Sequence, residues 1–316
     1  MYSAKDLAII IPTKDRPVQV KRHLQSLVDQ NCELGRVIVV ASGEDIENVV
    51  LSFVDTLPVE YYYSKPGQIR QRNMGISKLD ERTKLVANMD DDITYEKDAM
   101  NLMVSFWNTI NNKTAGVGFN IIKTPGHHYN WLKDLIGFDS QVEGSVLKNG
   151  SNLSLRNIDH TICPQYLNGG STVWNQSILE NFPHQPILSK RAYNEDVIYS
   201  YPIWQKGYKM YIYHKACVNM EIIPGSYSSN RDLDTYYMAK ASVLWRYLLV
   251  SQNTSLSISA LVFRVTTTFI YNLVRGIITI NKGKLCFSIG IFSGIVTMII
   301  SRFQKKDIKT LIEELG

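Results

Sequence analysis

Short runs rich in Val and Ile alternate with segments of helical spacing through residues 7–213. Strands that alternate with helices in this way predict βαβ units and a mostly parallel sheet. We therefore expect an α/β fold in which helices flank the sheet, with Pro12 ending the first strand. The predicted strands are 7–11, 36–41, 59–63, 85–89, 115–119 and 208–213, and the predicted helices are 18–30, 46–53, 69–78, 96–110 and 195–205.

Polar clusters follow three of these predicted strands. In a parallel sheet, ligands bind beyond the carboxyl ends of the strands, so the clusters are expected to share one site. The coincidence of the three positions favours this interpretation more than any one cluster does. The clusters are Thr13-Lys14-Asp15-Arg16, Ser42-Gly43-Glu44-Asp45 and Asp90-Asp91-Asp92.

The aspartate run is the strongest candidate for chemistry. Three adjacent carboxylates repel one another, and a cation or solvent must compensate that repulsion. Mg²⁺ and Mn²⁺ prefer hard oxygen ligands and bridge to substrate phosphates. On an extended backbone Asp90 and Asp92 point to the same side, which suits a metal. A solvated acidic turn has the same composition, but the position after the apolar run 85–89 favours the metal site.

Further along the chain, Asn194-Glu195-Asp196 opens a predicted helix. A carboxylate there can act as a general base toward an acceptor hydroxyl. A helix start with acidic first-turn residues is the structural alternative, because the helix dipole favours negative charge there.

Two glycine-containing segments are weaker candidates. Arg70 and Arg72, in the segment 65–73, can pair with phosphate, or they can be solvated arginines of a helix. Gly169-Gly170 allows the backbone to approach a ligand closely, although a plain tight turn needs the same residues. We interpret the adjacent His127 and His128 as part of a polar loop in the weakly periodic segment 121–164, and His23 as a surface residue of a helix.

Composition limits the class of protein. With 45% hydrophobic residues, the chain can bury a real core. The four cysteines are Cys32, Cys163, Cys217 and Cys286. Because they are far apart and form no CxxC pair, a zinc site or a dense disulfide framework is not expected, and a reducing cytoplasm fits. The amino terminus has no signal-peptide pattern.

The basic excess lies in the carboxy-terminal region. From Arg231 to the end there are eleven Lys and Arg against five Asp and Glu, a net charge of +6, which leaves −1 for the rest. The segment 236–250 is predicted to be an amphipathic helix, and 257–280 is apolar with isolated Arg264 and Arg275. Basic and apolar residues together favour an anionic membrane surface over nucleic acid as the partner.

The segment 285–301 has no charged residue and is flanked by lysines and arginines. A spanning helix needs about 20 apolar residues, with a lower limit near 17, and this segment sits at that limit. We expect an in-plane or shallowly inserted pair of helices with basic anchors. A helical hairpin packed on the catalytic domain is the alternative.

Four of these motifs resemble those of family 2 glycosyltransferases, which have the GT-A fold. Residues 9–16 resemble the opening strand of that family, and the aspartate triplet resembles its DxD motif. The turn at 167–172 resembles its acceptor-side glycine turn. Glu195-Asp196, with Gly207-Tyr208, resembles its ED motif and following Gly-Tyr. The segment 65–73 is similar to a further family stretch, with Gly67, Arg72, Asn73 and Gly75 in register. The resemblance covers about residues 7–221.

The resemblance implies an inverting transferase that uses Mg²⁺ or Mn²⁺. Asp196, with Glu195 beside it, would be the catalytic base. Asp92 would bind the metal, and Asp90 would contact the metal or a ribose. The candidate nucleotide-sugar site then comprises Pro12, Thr13, Asp15, Arg16, Ser42, Gly67, Arg72, Asn73, Asp90, Asp91, Gly169 and Gly170.

Two positions depart from the family pattern. Where the family often has an Asp that reads the base, this chain has Val40-Ala41-Ser42-Gly43, so Ser42 or Glu44 would have to serve. Where the family often has a metal-binding His, the chain has Asn219-Met220-Glu221. Met220 is a poor ligand for Mg²⁺ or Mn²⁺, so Glu221 or water would have to replace the His.

These inferences predict a GT-A catalytic domain over residues 1–225 and a helical membrane-associating region over 226–316. The nucleotide-sugar half would cover about 1–120 and the acceptor half about 121–225. We expect a peripheral or shallowly inserted enzyme on the cytoplasmic membrane face that transfers a sugar from a nucleotide-sugar to a saccharide or polyprenyl-linked saccharide in surface polysaccharide synthesis.

Two other classes of protein could have a similar sequence pattern. A nucleotidyltransferase of similar fold should have a glycine-rich loop after the first strand, and Pro12-Thr13-Lys14 has no glycine. The other is a membrane-docked nucleotide-sugar-binding protein without turnover, which the missing Asp and His motivate and the intact Asp90, Asp92 and Asp196 oppose.

Overall fold

A computed structural model describes residues 1–189, 192–221 and 231–315. The chain forms two compact units. The sheet unit comprises Met1–His128, Ser154–Leu188 and Tyr199–Ile222, and the helical unit comprises Tyr129–Leu153, Ser189–Ile198 and Ile223–Gly316. The predicted domain boundary at residues 225 and 226 lies outside the described residues, and the predicted domain ranges remain predictions.

The sheet unit is built on one eight-stranded sheet with the order β3-β2-β1-β4-β7-β6-β8-β5. β3, β2, β1 and β4 run parallel to one another. β7 is antiparallel to both β4 and β6, β6 and β8 are parallel, and β5 is antiparallel to β8. The predicted mixed, mostly parallel sheet is therefore confirmed. The strands are β1 Leu7–Lys14, β2 Arg36–Ser42, β3 Val59–Tyr63, β4 Leu85–Met89, β5 Ile93–Tyr95, β6 Thr114–Ile122, β7 Ser171–Asn175 and β8 Lys209–Met220.

Helices flank this sheet. Apolar side chains of β1, β2 and β4 pack with those of the helices into one buried core, which explains why these strands are almost continuous runs of Val, Ile, Leu and Ala. The helices are α1 Pro17–Val28, α2 Glu47–Leu51, α3 Gln68–Ile76, α4 Ala99–Trp107 and α6 Gln176–Asn181, while α7 Glu195–Gln205 begins in the helical unit and ends in the sheet unit.

The first strand is longer than predicted, because Pro12 does not end it. β1 pairs with β4 only from Leu7 to Ile10, whereas its pairing with β2 continues to Lys14. Beyond Ile10 the strand has a neighbour on one side only, and a residue without an N–H group is accommodated at such an edge. The extension carries Thr13 past the end of the β4 pairing, to the carboxyl edge of the sheet.

Three long helices dominate the helical unit, which also contains α5 Trp131–Leu135. Gly294 of α10 lies so close to α8 that an added Cβ would come within 2.8 Å of Val243 Cβ, so the absence of a side chain permits this packing. Side chains of Ser257, Asn281 and Asp307 cap the last three helices. The helices are α8 Arg231–Gln252, α9 Ile258–Ile278, α10 Lys282–Gln304 and α11 Ile308–Glu314.

Two of the described helices, α9 and α10, are long and apolar enough to cross a membrane by length and composition alone. Only 17% and 28% of their most apolar stretches are buried within the protein. The exposed apolar side chains include Phe263, Ile270, Ile277, Ile278, Ile280, Ile289, Phe292, Ile299 and Phe303. The predicted pair of apolar carboxy-terminal helices is thus confirmed.

Candidate active site

The aspartate triplet lies between β4 and β5, at the carboxyl edge of the sheet. Asp91 points inward: Thr13 Oγ1 donates to its carboxylate at 2.6 Å and Arg16 donates to it at 2.8 Å. Burial nevertheless raises the pKa of Asp91, and Thr13 and Arg16 offset part of that effect. Asp91 therefore anchors the triplet to the end of β1.

Asp90 faces a different set of partners. Arg72 Nη2 donates to its carboxylate at 2.9 Å and Gln68 Nε2 at 3.1 Å, both from α3. Its backbone N–H donates to the carbonyl of Gly170 at 2.8 Å. An added Cβ at Gly170 would overlap the Asp90 carboxylate, so this turn can hold no other residue without displacing Asp90.

Asp92 differs from its two neighbours. Its Oδ1 atom is buried and has no hydrogen-bond partner, and Arg16 reaches its Oδ2 atom only at 3.6 Å. Burial, followed by the charges of Asp90 and Asp91, raises the pKa of Asp92 to about 7. A buried carboxylate oxygen beside two like charges is a position that a cation stabilises.

The donor set fits a divalent ion of the magnesium type. Such an ion is held by one or two carboxylates, with substrate phosphates and water completing its octahedron. No group of three His, Cys, Asp or Glu side chains that could hold a metal occurs among the described residues. Asp92, with Asp90 at the same edge, has the carboxylate oxygens that such an ion would need from the protein.

The end of β8 also reaches this edge. Met220 pairs with Ile93, and the N–H of Glu221 donates to the carbonyl of Asp92 at 2.9 Å. The Glu221 carboxylate forms an ion pair with Arg22 at 2.6 Å. Glu221 is thus next to Asp92 through its backbone, while its side chain already has a cationic partner.

His23 was expected at the surface, and that expectation is wrong. Its side chain is fully buried on α1, and the ring Nδ1 donates to the carbonyl of Asp90 at 3.1 Å. The Tyr95 hydroxyl lies 3.4 Å from Nε2, and burial lowers the pKa of His23 to about 4. The sequence did contain a signal, because residue 23 lies on the same apolar stripe as Val20 and Leu27.

The second polar cluster supports the loops around the site. Ser42 is fully buried and donates through Oγ to the carbonyl of Thr13 at 3.3 Å. The Asp15 carboxylate accepts the N–H of Glu44 at 2.7 Å. Gln71, which sequence reasoning missed, donates to the carbonyls of Thr13 and Val40, each at 2.7 Å. These bonds hold the ends of β1 and β2 to α3.

The start of α3 is set by Gly67, whose φ of 141° favours glycine. This turn directs Gln68 toward Asp90, a contact that sequence reasoning also missed. Asn73 donates weakly to the carbonyl of His184 at 3.4 Å. Pro12 lies in β1 one residue before Thr13, and Gly169 lies in the turn that leads through Gly170 to β7.

The candidate base lies in the helical unit, at the start of α7. Glu195 is buried, whereas Asp196 is half-buried and accepts the N–H of Val197 at 2.9 Å. Of the two carboxylates, Asp196 is the more accessible one. A position in the first turn of a helix favours its ionised form, since the helix dipole attracts negative charge.

The fold and this carboxyl-edge site define a class of proteins, the GT-A-like α/β transferases. The model of the family described as Glycosyl transferase family 2 matches residues 8–177. The chain belongs to glycosyl transferase family 2. None of the curated proteins matches it.

Solved structures of S. aureus TarS resemble the fold. TarS 1-349 in complex with UDP-GlcNAc matches with a TM-score of 0.50 at 13% identity, over 78% of this chain and 70% of that one. TarS 1-349 in complex with UDP matches with a TM-score of 0.49 at 15% identity, over 85% and 73%. In a third TarS structure, the match covers 75% of this chain and 39% of that one, with a TM-score of 0.48 at 14% identity.

Proposed function

We propose that this chain is a metal-dependent, inverting glycosyltransferase that moves a sugar from a nucleotide-sugar to an acceptor hydroxyl. The observation that carries the proposal is Asp92, a half-buried carboxylate whose buried Oδ1 atom has no partner, at the edge where Thr13, Arg16 and Arg72 hold the rest of the triplet. Membership in family 2 supports it.

The residues of the site would have different roles. Asp92, assisted by Asp90, would hold Mg²⁺ or Mn²⁺, which supplies positive charge to a departing nucleoside diphosphate. Thr13, Arg16, Arg72 and Gln68 keep the carboxylates in place before the donor arrives. The residues of the candidate nucleotide-sugar site, from Pro12 to Gly170, would surround the donor.

Asp196 would accept the proton of the acceptor hydroxyl as its oxygen attacks C1 of the sugar. Attack opposite the leaving group inverts the anomeric centre. Glu195 is buried beside it and would shape the position of Asp196. UDP-GlcNAc, to which TarS is bound in one structure, is the first donor to test.

The acceptor is proposed to be a lipid-linked saccharide of surface polysaccharide synthesis, reached at the cytoplasmic membrane face. The exposed apolar residues of α9 and α10 and the basic residues around them support shallow insertion into an anionic bilayer. The full chain should therefore sediment with vesicles that contain phosphatidylglycerol. A fully soluble chain would make α9 and α10 packing elements only.

Activity should be tested with a panel of nucleotide-sugars, with and without Mg²⁺ or Mn²⁺. We expect one donor to be hydrolysed or transferred only with metal, and Asp92→Asn and Asp196→Asn to lose that turnover. Wild-type turnover by both variants would refute the site assignment.

A further inference from the structure

Gly43 lies at the carboxyl edge of the sheet, where β1, β2 and β3 end side by side. Ala41 of β2 pairs with Thr13 on one side and with Tyr63 on the other, so the three strands finish at the same level. Gly43 has a φ of 76°, a left-handed conformation that favours glycine. Side chains from both neighbouring strands, those of Asp15 and Tyr63, meet at this turn.

The Asp15 carboxylate occupies the space that a side chain at residue 43 would need, because an added Cβ at Gly43 would overlap it. Asp15 has a φ of 55°, which is uncommon outside glycine but is tolerated by aspartate. Its Oδ1 atom accepts the N–H of Glu44 at 2.7 Å, and its Oδ2 atom accepts Lys14 Nζ at 2.7 Å. A carboxylate from β1 is thus fixed at the end of β2, over a glycine.

This carboxylate is ionised and accessible. Lys14, followed by the N–H of Glu44, holds the pKa of Asp15 below its usual range. An ionised carboxylate has about four acceptor positions, and the two bonds of Asp15 leave the others free. The Asp15 side chain is 49% exposed, so a ligand that donates a hydrogen bond can reach it.

The neighbouring polar side chains are less suited to bind a ligand. Ser42 is fully buried, and its hydroxyl donates to the carbonyl of Thr13 at 3.3 Å. The Asp45 carboxylate accepts the Tyr61 hydroxyl at 2.8 Å, next to the start of α2. Glu44 is exposed, and no hydrogen bond or ion pair holds its carboxylate among the residues that the structure describes. Asp15 therefore combines a fixed position with access from solvent.

An aromatic ring lies at the same turn. The Tyr63 hydroxyl donates to the carbonyl of Gly43 at 2.8 Å, and 54% of Tyr63 is exposed. The ring is thus anchored at its hydroxyl and still open to solvent. Proteins bind a nucleobase with these two elements, an aromatic ring on which the base stacks and a polar group that hydrogen-bonds the edge of the base.

The position of Gly43 along the sheet edge also fits a nucleotide. The strand order β2-β1-β4 separates the end of β2 from the aspartate triplet after β4 by two strand spacings, about 10 Å. A ribose between phosphates at the triplet and a base at Gly43 would cover that distance. Arg16, which donates to Asp91 of the triplet, directly follows Asp15 in the chain, so β1 connects the two positions.

We propose that Asp15 is the specificity-determining residue that reads the base of the nucleotide-sugar, with Tyr63 as the ring on which the base stacks. The inference rests on the proposed transferase function, because it assigns part of the donor of that reaction. The N3–H of uracil or the N1–H of guanine would donate to the Asp15 carboxylate. Cytosine and adenine have a nitrogen lone pair at that place, and a carboxylate, which only accepts hydrogen bonds, repels it.

The test measures binding of UDP, GDP, CDP and ADP to the full chain by calorimetry, each with Mg²⁺. We expect UDP or GDP to bind more tightly than both CDP and ADP by at least about tenfold. Asp15→Asn should reduce this ratio to below about threefold, because an amide both donates and accepts and so suits either kind of base. Glu47→Gln, which removes an exposed carboxylate on α2, is the matched control and should keep the wild-type ratio.

Two further variants separate base reading from other effects. Gly43→Ala should reduce the ratio as Asp15→Asn does, although it removes no charge, because the added Cβ displaces the Asp15 carboxylate. Tyr63→Leu should weaken all four nucleotides by a similar factor, about tenfold, and leave the ratio unchanged. Pyrophosphate with Mg²⁺ has no base and should bind equally to the wild type and to Asp15→Asn, which shows that the variant is intact.

Several outcomes would overturn the role of Asp15. These are equal binding of the four nucleotides by the wild type, a preference for CDP or ADP, and a wild-type ratio in Asp15→Asn. Loss of the ratio in Glu44→Gln with no change in Asp15→Asn would make Glu44 the residue that reads the base. A chain that bound none of the four nucleotides would refute the transferase function as well, whereas a chain that bound all four alike would refute only the assignment of Asp15.

Discussion

The two units treat their buried and half-buried arginines differently. In the sheet unit, Arg16 and Arg72 each donate to an aspartate of the triplet, at 2.8 and 2.9 Å. In the helical unit, Arg246 and Arg264 have no carboxylate partner among the described residues. The sheet unit thus pairs its charged side chains within the protein, whereas the helical unit leaves these two arginines without a carboxylate.

A buried histidine shows how the cost of burial differs between histidine and arginine. His184 of the sheet unit is buried and stacks on Tyr199, with ring centres 3.7 Å apart. Burial, and to a smaller extent the charge of Arg72, lowers the pKa of His184 to about 3. A histidine can avoid the cost of burial by staying neutral, but an arginine cannot. An arginine without a carboxylate partner therefore costs more stability on burial than a histidine does.

The largest effect is expected at Asp92. Asp92→Asn should lower kcat/KM by about 1000-fold, because the metal would lose its main protein ligand. The same variant should be more stable by about 1–2 kcal/mol in urea unfolding, since it removes one of three crowded carboxylates. Asp55→Asn, at an exposed position, is the control for loss of charge. Loss of both activity and stability would show that Asp92 is structural.

The next largest effect is expected in the free energy of unfolding, when arginines with and without a carboxylate partner are replaced. Arg72→Met should lower the free energy of unfolding by about 3 kcal/mol, because it leaves Asp90 without its buried partner. Arg246→Met should instead raise it, by about 1 kcal/mol. Urea unfolding measures both, and Arg82→Met, at a highly exposed side chain, should change little. If both substitutions changed the free energy of unfolding in the same direction, the two units would not differ in how they stabilise arginine.

The exposed apolar surface of the helical unit should increase the affinity of the protein for lipid vesicles. Ile277 and Ile280 are 62% and 87% exposed near the α9–α10 turn. Changing both to Glu should reduce partition into phosphatidylglycerol vesicles by about 30-fold, because apolar burial in the bilayer is lost and negative charge is added. Val54→Glu, at an exposed apolar residue of the sheet unit, should leave partition unchanged. Equal effects of the two substitutions would indicate that the helical unit has no special membrane affinity.

The smallest effect is expected at His184. The unfolded chain binds a proton below about pH 6.5, whereas the native histidine binds one only near pH 3. The stability that the neutral His184 contributes at pH 7 is therefore lost as pH falls from about 6.5 toward 3. His184→Phe should reduce this loss by about 1.6 kcal/mol between pH 6.5 and pH 5. Urea unfolding curves of both proteins at the two pH values test this prediction. If the wild type and His184→Phe lost the same free energy of unfolding between them, the low pKa of His184 would be contradicted.

Much of the fold could be predicted because its signals are local. Val/Ile runs with helical segments between them are determined by neighbouring residues, and β3, β4 and α7 begin and end where the sequence predicted. The end of β1 could not be predicted, since it depends on where pairing with β4 stops. The antiparallel insertion of β7 between β4 and β6 likewise depends on contacts between residues far apart in the sequence.

For the candidate site, the sequence alone determined which residue types gather at the carboxyl edge: the Asp triplet, Arg16, Arg72 and the glycine turn. Only the tertiary structure decided how they differ. It turns Asp91 toward Thr13 and Arg16, turns Asp90 toward Arg72 and Gln68, and leaves one oxygen of Asp92 unpartnered. It also buries His23 and His184, and it half-buries Arg246. Partners and burial depend on long-range packing, and a linear pattern of residue types does not contain that information.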